Sequence, residues 1–221
     1  GNNIWCYEGS DAWSDVGNIV FNNGESYGKK IIQLYVKQEK WSDYKLTDFT
    51  NAPAQTYTFD SWDDLKNDLD FFHDKDFAGG SGATGCLYLY SATNPAERFE
   101  SIEFACETNL VYIHSTDNVT VDNICFKYEG GHAIAADGQP GSSLVLDYLT
   151  VQNCEFYWIG GSIQNRIANS VISNKENTTV RDTRYGNAIE VYGTCDGFIA
   201  RNNYIYQVFD AGITVQKTVG N

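Results

Sequence analysis

The sequence predicts a mainly β chain: a right-handed parallel β-helix of single-stranded coils about 24 residues long, with a small β-rich, one-helix subdomain inserted in its N-terminal half. Three observations predict it. Residues 119–126 (VTVDNICF), 149–156 (LTVQNCEF) and 198–205 (FIARNNYI) repeat one pattern, apolar positions alternating with polar ones and an Asn at a fixed place. A second apolar strand follows each unit, at residues 131–134 (GHAI), 186–189 (GNAI) and 210–213 (DAGI). From Ile189 to Ile213 is 24 residues, one coil's length, while the longer spacings elsewhere imply loops between turns, chiefly residues 164–186. Repetition of this kind is the mark of a solenoid.

Each element has a physical reason. The period-2 alternation gives short strands with one apolar face. Asn123, Asn153 and Asn202 break them, because Asn tolerates a left-handed backbone and bonds its neighbours' amides at a tight turn. Coils lie ~4.8 Å apart, so equivalent side chains stack. Val121, Val151 and Ala200 should form one stack and Phe126, Phe156 and Ile205 another, with the three Asn residues making a ladder. One coil cannot bury its apolar face alone, so several are needed.

Residues 1–100 read differently. Ile19 to Phe21 and Ile31 to Tyr35 are strands separated by an Asn-Asn-Gly turn signal. Residues 61–72 predict a helix: Ser61 can cap it, Asp63 and Asp64 suit its N-terminus, and Trp62, Leu65, Leu69 and Phe72 share a face. Leu87 to Tyr90 is a strand, leading through Asn94-Pro95-Ala96 to an extended stretch from Ile102 to Phe104. Residues 101–221 are then the coils. The sequence from 80 to 85 (GSGATG) matches G-x-G-x-x-G, but a strand follows it rather than a helix, so it is a turn and not a dinucleotide site.

Composition excludes several partners. Fifteen basic against twenty-nine acidic residues give −14, which disfavours nucleic acid and anionic membranes. No run approaches the ~18 apolar residues of a membrane span. Six cysteines without a C-x-x-C pair read as mostly small core hydrophobes, not as a zinc site or a dense disulfide framework. The absence of Met reads as a segment cut from a longer chain.

Taken together, residues 15–24 (DVGNIVFNNG), 87–91 (LYLYS), 94–96 (NPA), Ile102-Glu103, 158–161 (WIGG), 186–190 (GNAIE) and 209–214 (FDAGIT) resemble bacterial right-handed parallel β-helix proteins of the glycoside-hydrolase and pectate-lyase-like type. The resemblance spans most of the chain. It implies a secreted or cell-surface protein acting on a polysaccharide or oligosaccharide. It also implies a chain that stops in mid-helix after Gln216, whose open ends offer edges for self-association.

Glycoside hydrolysis commonly uses two carboxyl groups, and Asp210 and Glu190 are the pair chosen here, on adjacent coils and both outward by alternation. Four positions of offset along straight strands would separate them by roughly 13 Å, too far unless the backbone bends before Ala211. Asp210 stands first, because an unpaired charge within the apolar run from Phe209 to Ile213 would be costly. The plain alternative makes Glu190 a solvated strand residue and Asp210 a turn cap. His132, two coils earlier, can bond a sugar hydroxyl or merely the backbone. Trp158, Tyr192 and Tyr206, with Tyr157, suit stacking on sugar rings, or packing under loops. Arg184 and Arg201 can bond a substrate carboxylate, or balance the acidic surface.

Two other functions compete. A polysaccharide lyase would use Lys or Arg with Ca²⁺ held by clustered carboxylates, and no tight cluster recurs on successive coils. A non-catalytic adhesion or glycan-binding β-helix would use the aromatics alone. No resident metal or cofactor is expected for the hydrolase.

Overall fold

The computed structural model describes residues 3–9, 11–12, 14–31, 34–36, 57–58, 65–74, 86–138, 146–168, 179–193 and 195–216. Among them the chain is mainly β, and its larger part consists of three parallel ladders. The first holds Val111–His114, Ile134–Gly138, Ile189–Gly193 and Ile213–Gln216; the second Thr120–Asp122, Thr150–Gln152 and Ile199–Arg201; the third Cys125–Glu129, Glu155–Ile159 and Tyr204–Val208. The chain visits them in one order on every pass. Each strand therefore pairs with the equivalent strand of the pass before.

The register is the one the repeat predicts. Val121 pairs with Val151 and Val151 with Ala200; Phe126 pairs with Phe156 and Phe156 with Ile205; Ile134 pairs with Ile189 and Ile189 with Ile213. Val121, Val151, Phe126, Phe156, Ile134 and Ile189, with Ile113, Leu146, Leu149 and Val191, belong to one buried cluster, against which the partly buried Ala200 and Ile205 pack. The Phe126 and Phe156 rings lie 5.0 Å apart and nearly parallel, the offset arrangement that aromatic quadrupoles favour. At the last described pass the stack opens, and Ile213 is 45% exposed.

The corners repeat as well. Asn123, Asn153 and Asn202 have φ of 58°, 53° and 55°, as the Asn pattern predicts, and Asn202 Nδ2 donates to Asn153 Oδ1 at 3.4 Å. Two further corners lie five residues to either side. Asn118, Tyr148 and Gly197 are left-handed at one, and Tyr128, Trp158 and Gln207 at the other. Left-handed backbone costs an ordinary L-residue roughly 1–2 kcal/mol. The stacked strands on both sides hold these corners in that conformation.

Between the Val151 and Ala200 passes the chain leaves the ladders. Ile163–Ala168 and Thr179–Arg184 form an antiparallel hairpin, which joins Leu34–Val36 and Tyr57–Thr58 in a sheet of its own. Gly160 (φ 93°) and Gly186 (φ 130°) stand where the excursion departs and returns. A Cβ on Gly186 would lie 2.1 Å from Gly160 Cα, so both must be glycine.

The N-terminal half is built from two more sheets. Ile4–Tyr7, Cys86–Tyr90, Asp70–Asp74 and Lys29–Lys30 form one; Ser26–Tyr27, Val16–Phe21 and Ile102–Cys106 the other. They share a second core of Val16, Ile19, Phe21, Phe71, Leu87 and Leu89. The helix expected over residues 61–72 is corrected where it is described: residues 65–69 form no helix and Asp70–Asp74 is a strand. Leu69 adopts φ 64°, and the Asp70 carboxylate accepts from the Asn67 amide at 3.0 Å, so a side-chain-closed turn ends any helix there. Phe71 and Phe72 then bury on opposite faces of the strand. Residues 61–64 and the 80–85 glycine stretch lie outside the described residues. The α-helix among the described residues is the single turn Pro95–Arg98, capped by Asn94 Oδ1 accepting from Ala96 N at 3.1 Å.

Cysteine is the second correction. Cys6 and Cys86 are joined as a disulfide across neighbouring strands, Cys125 is exposed, and of the four other cysteines Cys154 alone is buried in the core.

A buried charge cluster joins the two halves. Asp15, fully buried, contacts the Lys30 ammonium, accepts from Ile163 N at 2.6 Å and approaches His73 Nδ1 at 3.5 Å; its backbone carbonyl accepts from Ser162 Oγ at 2.9 Å. Burial opposes its ionisation, but the Lys30 charge, the nearby His73 ring and the bonds from Lys30 and Ile163 outweigh that and hold its carboxyl below the usual range. Lys30 also donates to Val16 O at 2.5 Å. One carboxylate thus fixes the N-terminal strand, the four-stranded sheet and the hairpin against one another.

Candidate functional site

The outer face of the first ladder carries the site. Val111, Ile113, Ile134, Ala136, Ile189 and Val191 point into the stack, so the alternate residues project outward in two columns. One column is Tyr112, Ala135, Glu190 and Thr214; the other is His114, Asp137, Tyr192 and Gln216. Tyr112, Ala135 and Glu190 of the first column and Asp137, Tyr192 and Gln216 of the second floor a cavity of about 320 Å³, whose wall is made by His132, Tyr185, Asn187 and Asp210 from the segments entering the ladder.

Glu190 points out of the stack, as alternation predicts, yet it is 6% exposed. Ala135 beside it has only a methyl group, which leaves the carboxyl room in the pocket rather than in solvent. Burial pushes the Glu190 carboxyl above the usual range, against the pull of a 2.5 Å bond from Asn187 Nδ2, and the Asp210 charge pushes it the same way. Asn187 Oδ1 accepts from Ala211 N at 2.8 Å. One amide group therefore bridges the Glu190 carboxyl and the backbone beside Asp210, keeping the two within about 8 Å. The Glu190 carboxyl reaches back to Asn187, three residues earlier in the chain.

Asp210 itself is exposed, so the expected cost of a charge in an apolar run does not arise. Its backbone N–H donates to Gly186 O at 3.2 Å, and its carboxylate caps no turn among the described residues. His132 accepts from Asn187 N through Nδ1 at 3.0 Å, which leaves the hydrogen on Nε2. Burial lowers its pKa, with the Asp210 charge opposing. Its ring meets Tyr185 edge-on at 4.9 Å.

Of the residues chosen from sequence, Asp210, Glu190, His132 and Tyr192 line the cavity, and Tyr192 is 47% exposed there. Trp158, Tyr206 and Arg184 do not. Trp158 stacks on Tyr27 at 3.5 Å, and Tyr206 stands with Tyr204 and Tyr157 outside the third ladder. Arg184 donates from Nε to Gly161 O at 2.8 Å and lies over the Phe209 ring at 4.1 Å; Arg201 donates to Gln152 Oε1 on the second ladder.

The structure adds Tyr112 and Asp137. Asp137 accepts from Tyr112 OH through Oδ2 and bonds His114 Nδ1 through Oδ1, both at 2.6 Å. The signal was present: Asp137 lies three residues past Ile134, in the column beside Glu190. Among the described residues, the side chains close enough to share a metal ion are Cys6, Glu8 and Cys86, where both thiols are spent in the disulfide. The cavity carboxylates do not converge on one point.

Chemically, the cavity offers a carboxyl biased toward its protonated form, an ionisable partner nearby, a fixed imidazole N–H and two exposed phenol rings. No protein-family model matches this chain, and no curated protein or solved structure matches it.

Proposed function

We propose that the chain is a right-handed parallel β-helix that hydrolyses a glycosidic bond in a polysaccharide, in a secreted or cell-surface setting. The fixed order in which the chain visits three parallel ladders supports the coil reading, since parallel crossovers are right-handed in almost all proteins. The Cys6–Cys86 disulfide supports an oxidising compartment.

The observation that carries the hydrolase reading is the pair of carboxyls in one cavity whose environments differ. Glu190, buried and bonded to Asn187, gives its proton to the leaving glycosidic oxygen. Asp210, open to solvent, acts as base toward the attacking water or as the nucleophile. His132 Nε2–H and the Tyr192 ring hold the sugar.

The test is reducing-end release from a polysaccharide panel by the protein and by Glu190→Gln and Asp210→Asn. Loss of at least a hundredfold in both variants, with folding intact, is expected. Normal turnover in Asp210→Asn sinks the pairing. A calcium-dependent product absorbing in the ultraviolet would establish a lyase instead, and binding without cleavage an adhesin.

A further inference from the structure

Charge inside the cavity points to a substrate class. Its described lining includes three carboxyl groups, those of Asp137, Glu190 and Asp210, and no Lys or Arg. The two arginines that the sequence offered for a substrate carboxylate are occupied elsewhere, Arg184 on Gly161 O and the Phe209 ring and Arg201 on Gln152. His132 brings no charge while its Nδ1 accepts the Asn187 N–H, since a protonated ring would have no acceptor there. An anionic sugar would enter against like charges with nothing to pair it.

The cavity is not a cation trap either. Both oxygens of Asp137 are taken by Tyr112 and His114, and Glu190 is engaged by Asn187. What remains open is aromatic. Tyr112 and Tyr192 are 59% and 47% exposed, stand two strands and two residues apart, and so flank the Ala135–Asp137 strand on a diagonal of about 12 Å. With the Tyr112 hydroxyl tied to Asp137, its ring face is what it presents to a ligand. Ring faces bind the C–H surface of an uncharged pyranose, and the surrounding Asn187, Gln216 and His132 groups bond hydroxyls.

We propose that this cavity selects an uncharged glycan and excludes uronate-bearing polymers, with Asp137 as a specificity-determining residue that both rejects anions and orients Tyr112. The inference rests on the reading of the cavity as a glycan site, but not on catalysis there. The experiment is binding, by retardation in polymer-containing gels and by calorimetry at 150 mM NaCl. It uses xylan, galactan, mannan and β-glucan against polygalacturonate, alginate, hyaluronan and chitosan, each uronate polymer also in its carboxyl-reduced form.

Binding of at least one neutral polymer is expected, at least tenfold tighter than any uronate polymer. That binding should fall at least tenfold in Tyr192→Ala. Asp137→Asn should narrow the neutral-to-uronate gap at least threefold. Neutral binding without cleavage supports the substrate class while removing the hydrolase reading. Cleavage of a uronate polymer in preference to its reduced form does the reverse. Binding of none of the polymers, preference for chitosan, or binding that survives Tyr192→Ala overturns the proposal.

Discussion

Replacing Asp15 by asparagine removes one charge from a site where no solvent can compensate for it. The carboxylate is fully buried, and Lys30, which it contacts, is buried with it. Breaking a buried ion pair by deleting one partner costs about 3–5 kcal/mol, because the remaining charge stays desolvated. For a chain of this size that corresponds to a melting temperature lower by roughly 6–20 °C. The measurement is urea unfolding at pH 7, comparing midpoints at constant m-value. Asp15→Asn with Lys30→Met should recover part of the loss, since no charge is then stranded. The pH profile has a fixed sign. A carboxyl held below its ordinary value contributes stability above the unfolded pKa of about 3.9, and loses it as pH falls through the folded value. Asp15→Asn should flatten that acid limb. A single variant destabilised by less than about 1 kcal/mol, with an unchanged acid limb, would refute the view that this carboxylate fastens the two halves.

Four further outcomes are expected. Gly186→Ala should destabilise by more than about 2 kcal/mol in the same urea assay, because both the φ of 130° and the 2.1 Å approach to Gly160 forbid a methyl group. Cys6→Ala with Cys86→Ala should cost about 2–4 kcal/mol, and a reducing agent should bring the parent protein to the same midpoint. Glu190→Gln should raise the melting temperature at pH 7 while abolishing turnover: a carboxyl pushed above its ordinary value favours the fold when protonated and loses that contribution as pH rises, whereas Gln never ionises. For the same reason, activity of the parent should fall on the alkaline side as Glu190 loses its proton, measured as kcat/KM against pH.

The ladders were legible because their register is set by side chains of fixed period. Val121, Val151 and Ala200 occupy the same place in the repeat, and the strands pair at those residues. The N-terminal half was harder, since its order depends on partners distant in sequence. Leu65, Leu69 and Phe72 have helical spacing, but Phe71 and Phe72 find strands on either side, and tertiary pairing wins over a weak local preference. In the cavity, alternation gave the outward direction of Glu190, while its burial depended on the small Ala135 one strand away and on Asn187, which a single-strand reading does not weigh. Trp158 and Tyr206 share aromatic character with Tyr192 and nothing more. They belong to the third ladder rather than the first, and only the order of strands within a pass separates them.

The five-residue cadence of left-handed corners has a consequence for how such a chain can change. Asn, Tyr, Trp, Gln and Gly all serve at equivalent corners, so a bend is dictated by its neighbours above and below rather than by its own side chain. Corner and outward positions are then free to vary independently of the interior. The strands Ile163–Ala168 and Thr179–Arg184 enter and leave through one glycine contact without disturbing the alignment of Phe156 on Ile205. A molecule organised this way can gain a new loop, or a new set of outward groups on one strand, as a local edit. The rest of the stack keeps its place.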